Sequence, residues 1–221
     1  MGTDISALRA QVLANVAAMK AAIPQGGSNN VKITMDKTFE FPDGTVTEGP
    51  FDCIILGFRY MNAFYTKPYR PGEVSSPVCW AIGEDSAKLE PHEAVKKPQS
   101  DACEGCPKNE WPEGGGGKPC RNMVKLAIVA PDATEANQIA IIRVAPTGLS
   151  GPHGFLKYLK VVLGKGLHPM MITTQLGFRK DKDYPCLAFA PGKEHPNFEA
   201  VAALLGRANE LLNQSYEIFE D

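Results

Sequence analysis

The sequence predicts a mainly β fold of the α+β class: a small β-barrel with flanking helices and one long inserted loop. Three observations predict it. Runs that alternate apolar and polar residues recur along the chain. The 221 residues include 21 Gly and 18 Pro, well above average usage, which calls for many turns and short strands. The one sustained break in the strand pattern, residues 66–122, is too long for a structureless loop inside a compact domain. The rest of the composition is ordinary, with 43% apolar and 22% charged residues and a net charge of −2. That is enough to bury a sizeable core, and it excludes a wholly disordered chain.

The elements follow in order. Ile5, Leu8, Val12, Val16, Met19 and Ile23 recur at three- and four-residue steps, an amphipathic helix over 4–23 stopped by Pro24. Gln25–Asn30 reads as a linker. Val31–Phe41 alternates as a strand, Pro42-Asp43-Gly44 turns the chain, and Phe51–Tyr65 is a long or bent strand in which Gly57 marks a bulge or corner. Strand patterns resume at Met123–Ala130 and Gln138–Ala145. Ser150–Leu163 reads as a helix capped by Ser150 with Pro152 in its first turn. Met170–Phe178 and Tyr184–Ala190 read as strands, and Asn197–Leu212 as a helix burying Phe198, Val201, Leu205 and Leu212. A helix placed before the final strands of a small closed barrel fits an OB-fold. An SH3-like barrel or an open α+β sheet shares the pattern but fits it less well. The divisions are then 1–30 (N-terminal helix and linker), 31–192 (OB-fold-like domain with the insertion at about 72–122) and 193–221 (C-terminal helix and short acidic tail).

No apolar run approaches the ~20 residues that cross a bilayer, and the N-terminus lacks a basic segment followed by a continuous apolar stretch. The expected location is therefore cytoplasmic, with no membrane partner. In that reducing compartment, cysteines serve as metal ligands or core thiols rather than in disulfides.

Cys103-Glu104-Gly105-Cys106 is a C-x-x-C knuckle, with Cys79 upstream and Cys120 downstream. Four cysteines within 42 Gly/Pro-rich residues match the tetrahedral thiolate set of a structural Zn2+ site. Such a site supplies the free energy that orders a segment with little apolar core. Cys79, Cys103, Cys106 and Cys120 are the expected ligands, with His92 as the substitute for Cys79. Cys53 and Cys186 sit in apolar strand patterns and read as core thiols. A zinc deaminase needs H-x-E and P-C-x-x-C. Here His92 and Glu93 are adjacent, and Ala102 precedes Cys103. With no G-x-S-x-G, H-E-x-x-H or P-loop in the chain either, no enzymatic activity is expected.

Residues 58–70 hold five aromatics and three bases in a chain only 8% aromatic. Rings that stack on bases, interleaved with cations that track phosphates, are the ingredients of a single-strand groove. Alternation places Phe58, Tyr60, Asn62 and Phe64 on one face and Arg59, Met61, Ala63 and Tyr65 on the other, and only one face is expected to be core. The expected DNA contacts are Arg59, Tyr60, Asn62, Phe64, Tyr65, Lys67, Tyr69 and Arg70, extended by Arg143, Lys157, Arg179 and Lys180. Of the tryptophans, Trp80 is expected beneath the insertion and Trp111 at its surface. Charge is polarised: residues 150–182 carry six bases and one acid, whereas 194–221 carry six acids and one base. A basic centre with an acidic end points to an anionic partner.

Four segments carry a resemblance: Asn62-Ala63-Phe64-Tyr65-Thr66-Lys67-Pro68-Tyr69, Pro77-Val78-Cys79-Trp80-Ala81, and the cysteine stretches 98–109 and 117–122. Over residues 31–192 the chain resembles bacteriophage single-stranded DNA-binding proteins of the OB-fold type. The resemblance implies a protein that coats exposed DNA during phage replication or recombination, with a zinc element set into its barrel. It also implies that an acidic C-terminus, here Tyr216–Asp221, recruits replication or recombination proteins. The competing expectation is a zinc-stapled interaction module of the replication machinery with no direct DNA contact.

Overall fold

The computed structural model describes residues 28–67, 76–196 and 198–215. The helix expected over 4–23, Tyr69, Arg70, Asn197 and the acidic end Tyr216–Asp221 lie outside the described residues. Nine strands and four α-helices are described: β1 (Lys32–Ile33), β2 (Phe39–Glu40), β3 (Val46–Thr47), β4 (Phe51–Phe64), β5 (Cys79–Gly83), β6 (Cys120–Val129), β7 (Ala140–Val144), α1 (Pro146–Leu149), α2 (Phe155–Gly164), β8 (Ile172–Phe178), β9 (Leu187–Glu194), α3 (Phe198–Ala202) and α4 (Leu205–Asn213). The fold is mainly β, as its Gly- and Pro-rich composition requires.

All named strands pair antiparallel. β1, β2 and β3 form a small meander, and a six-stranded sheet runs β7-β6-β4-β8-β9 with β5 also on β4. The closed barrel expected from the sequence is corrected here. Among the described residues β7 and β9 end the path without pairing to each other, so the sheet stays open. Its curvature comes from β4, which pairs with β6 over Ile54–Phe64 and with β8 over Phe51–Cys53, and slips register between Ile55 and Gly57. That slip is the bulge anticipated at Gly57. An extra residue there bends the strand and swaps which residues face which side.

The swap explains a second correction. Cys53 and Ile55 before the bulge, and Phe58 and Tyr60 after it, all serve the same core. Ile54 and Leu56 face the opposite side. Both faces of β4 are covered, not one. The first core gathers Val124, Leu126, Ile128, Ile142, Leu176 and Phe189 around Phe155, Tyr158 and Val162 of α2. The second packs Val201, Leu204, Ala208, Leu211 and Leu212 of α3 and α4 onto Ile54, Leu56, Ala127, Val129 and Ile141. β6 alternates strictly between the two, which is how a strand buried on both faces comes to read as a continuous apolar run.

Helix α2 begins at Phe155, with Gly154 at its cap, rather than at Ser150. Pro146, pre-set for a first turn, opens the separate helix α1. Phe198 is 37% exposed rather than buried, because Val201 and Leu204 take the inward positions of its turn. Cys53 and Cys186 are buried thiols, each 1% exposed. Burial pushes the Cys53 thiol up to about 12. Among the described residues no helix is long and apolar enough to cross a membrane.

Candidate nucleic-acid interface and cysteine cluster

The far end of β4 positions the insertion. Phe64 pairs across to Cys79 of β5 on one side and to Cys120 of β6 on the other. Residues directly opposite in antiparallel strands share a face, so Cys79 and Cys120 flank Phe64 on the same side of the sheet. Two strand spacings set their Cα atoms about 10 Å apart. The knuckle is brought over this row by backbone and asparagine bonds. Cys103 N–H donates to the Leu89 carbonyl (2.8 Å), and Asn109 Nδ2 donates to the Cys103 carbonyl (2.9 Å). Asn122 Nδ2 donates to Asn109 Oδ1 (2.7 Å) and to Asn62 Oδ1 (2.6 Å). Gly105 takes φ +69° inside the knuckle, a conformation that glycine adopts without the steric cost of a Cβ.

Cys79, Cys103, Cys106 and Cys120 line one cavity of about 20 Å³, together with Asn62, Phe64 and Trp80. All four are free thiols, 7–9% exposed. Burial, followed by the neighbouring cysteines, pushes the Cys120 thiol up to about 12, and burial also raises Cys103. His92 is not among the lining residues. Its ring stacks on Trp80 (5.7 Å) and its Nδ1 accepts from Ala94 N–H (3.2 Å). Among the described residues no group of three or more His, Cys, Asp or Glu side chains is arranged to hold a metal ion. The four cysteines singled out from the sequence line the same cavity. The sequence does not anticipate that the Phe64 ring stands between two of them.

Three cation–ring pairs cluster around this end of the sheet. Lys108 Nζ lies 5.4 Å from the Phe64 ring, the Arg121 guanidinium 5.4 Å from the Tyr65 ring, and Lys118 Nζ 5.8 Å from the Trp111 ring. Phe64 and Tyr65 are half-buried, Lys67 and Arg121 are exposed, and Trp111 is 70% exposed. Sequence reasoning does not single out Lys108, Lys118 and Arg121. Their signal is the recurrence of a base beside each ring, split between two segments that only the fold brings together.

The other expected contacts divide. Tyr60 is half-buried and packs edge-on against Phe58 (5.7 Å). Asn62 is 5% exposed and belongs to the asparagine network. Arg59 is drawn to α4: its Nε donates to Asn213 Oδ1 (2.9 Å), its Nη2 donates to Asn209 Oδ1 (3.3 Å), and it pairs with Glu84 at 2.9 Å. Arg59 opposes Lys125, which opposes Arg143, making a row of three cations across β4, β6 and β7. Lys125 is 5% exposed and donates from Nζ to the Leu211 (2.6 Å) and Gln214 (3.0 Å) carbonyls at the end of α4. Cations at that end complement the helix dipole and satisfy its last carbonyls. Burial and Arg143 lower Lys125 to about 8. Arg143 itself is exposed at the rim of a shallow pocket with Asn30, Val31 and Ile33.

Arg179 and Lys180, just beyond β8, sit toward the opposite end of β4, whereas Lys157 lies on α2, whose Phe155 ring packs 5.3 Å from Phe58 in the middle of β4. A strand of this length spans about 40 Å, so Arg179 and Lys180 do not join the surface around Tyr65. Arg179 is engaged by both carboxylate oxygens of Asp181 (2.9 and 2.6 Å), which holds Asp181 down at about 2.

Compared with known proteins, the chain matches no family model, no curated protein and no solved structure.

Proposed function

We propose that this chain is a non-enzymatic single-stranded DNA-binding protein of phage replication or recombination, with an OB-like sheet, acting in the host cytoplasm. The observation that carries this reading is the end of β4, where half-buried Phe64 and Tyr65 each sit beside a cation, Lys108 and Arg121, and Lys67 follows in the chain. A flat ring with a cation over one face can stack a base on the other while the cation neutralises a neighbouring phosphate. Binding of this kind tightens as salt falls, with a slope set by the number of phosphates neutralised. A fluorescence titration with oligothymidine and with duplex of equal length tests it. Preference for the single strand supports the reading, and equal or tighter duplex binding sinks it.

Zn2+ belongs to the proposal as the insertion's staple. Its support is the donor set: four free thiols around a cavity of about 20 Å³. Four sulfur donors gathered on one cavity are a set that a dication would unite. Purified protein would then carry about one zinc per chain by atomic emission. Metal-free protein that is folded and resistant to proteolysis between residues 79 and 120 defeats that part. The acidic end Tyr216–Asp221 is the proposed contact for replication or recombination proteins. A second reading, an accessory interaction module without DNA contact, draws support from the commitment of Arg59 and Lys125 to α4. Unchanged partner binding in a Tyr65→Ala/Arg121→Ala variant, with no DNA binding by the parent protein, would favour it.

A further inference from the structure

Trp111 stands apart from the rings at the end of β4. It lies beyond the short turn Pro107–Asn109, on a loop that returns through Gly114–Gly117 to Lys118. The ring is 70% exposed, whereas tryptophan normally buries most of its area. The loop around it is open: a Cβ added at any of Gly114, Gly115, Gly116 or Gly117 meets nothing within 4 Å. Gly115 and Gly116 take φ +79° and +101°, a backbone path that side-chain-bearing residues rarely follow. Lys118 is nevertheless held with its ammonium 5.8 Å from the ring centre. The acids of the loop are Glu110 and Glu113, both exposed.

We infer that Trp111 and Lys118 form a separate base-stacking point on the glycine loop, taking one unpaired base of a DNA strand that leaves the Phe64–Tyr65 end of the sheet. The inference rests on the proposed single-strand function and extends it to a side chain outside β4. Lys118 lies over one face of the indole; the other face matches the face of a base, and the ammonium matches the phosphate attached to that base. A duplex offers no such face along its length, because its bases already stack on one another. Lys118, Lys108 and Arg121 supply a cation beside each of the three rings that the strand would meet.

The two tryptophans make this directly measurable. Trp80 is 4% exposed, with its Nε1 bonded to Ser215 Oγ at 3.0 Å, so acrylamide quenches chiefly Trp111. In the full-length protein, oligothymidine should protect Trp111 from acrylamide, and an abasic strand of equal length should not. Trp111→Ala should weaken oligothymidine binding about 5- to 150-fold, the loss of one stacked base, and Trp111→Phe should restore most of it. Because Trp111 packs against little, circular dichroism should be the same for all three proteins. If the parent protein binds oligothymidine while its Trp111 stays fully quenchable and Trp111→Ala binds equally well, the inference falls and the single-strand reading stands. If the parent protein binds no oligothymidine at all, the single-strand reading falls and takes the inference with it.

Discussion

Replacing Lys125 by Met tests the packing of α4 on the sheet. Lys125 is 5% exposed and its Nζ holds the Leu211 and Gln214 carbonyls at 2.6 and 3.0 Å. Its pKa falls from 10.5 to about 8, first through burial and second through Arg143. Below pH 8 the lysine is charged in both folded and unfolded chains, so its contribution is flat. Between pH 8 and 10.5 the unfolded chain keeps the proton while the folded one has released it. Stability therefore rises with pH in that window. Integrating the two titrations, from the pKa values of 10.5 and about 8, gives a gain of about 2 kcal/mol between pH 7 and pH 9.5. Buried Cys53 and Tyr158, both pushed up to about 12, act in the opposite direction, because their unfolded counterparts ionise first. They are present in both proteins and cancel in the difference. Urea unfolding of the parent and Lys125→Met at pH 7, 8, 9 and 9.5 should give a stability difference that grows in favour of the parent by about 2 kcal/mol across the series. A difference independent of pH would refute a buried lysine that is charged at neutral pH and caps α4.

Other outcomes follow from the same geometry. Tyr65→Ala and Arg121→Ala should each weaken oligothymidine binding, by about 1–3 kcal/mol for the ring, and Arg121→Ala alone should flatten the salt dependence; binding titrations at two salt concentrations distinguish them. Lys180→Ala, about 40 Å along β4 from Tyr65, should leave that affinity unchanged, and a loss comparable to that of Arg121→Ala would mean that the strand follows a different path. Leu212→Ala should destabilise by about 2–5 kcal/mol, since Leu212 is fully buried on the inner face of α4 with its Cδ1 only 3.3 Å from where a Gly57 Cβ would stand; a chemical melt showing under 1 kcal/mol would contradict that packing. Iodoacetamide at pH 8 should leave Cys53 unmodified in the native protein, as its thiol is buried and raised to about 12, and mass spectrometry after short exposure reads this directly.

Periodicity alone carries much of the fold. β4, β6, β7 and β8 fall within a few residues of where apolar runs and alternation place them, because a strand buried on one face alternates and one buried on both reads as an apolar run. β5 is not legible in the same way, since Cys79-Trp80-Ala81-Ile82-Gly83 is short, carries no alternation, and becomes a strand only by pairing with Tyr60–Phe64. The bulge at Gly57 is visible as a glycine in an apolar run. Its effect on the faces is not, because parity depends on the partner strand's register.

The candidate site divides along the same line. Residue chemistry in the sequence singles out the four cysteines, the rings of β4 and the exposed Trp111, because thiols and aromatics are rare enough in this chain for their clustering to stand out. Which cation serves which ring is decided only by the tertiary structure. Arg59 turns to α4, Arg179 is taken by Asp181, and Lys108 and Arg121 come to the Phe64 and Tyr65 rings from a segment more than forty residues along the chain from β4. A charged side chain goes to the nearest group that lowers its energy. That group is chosen by how strands and helices pack, not by its neighbours in the chain.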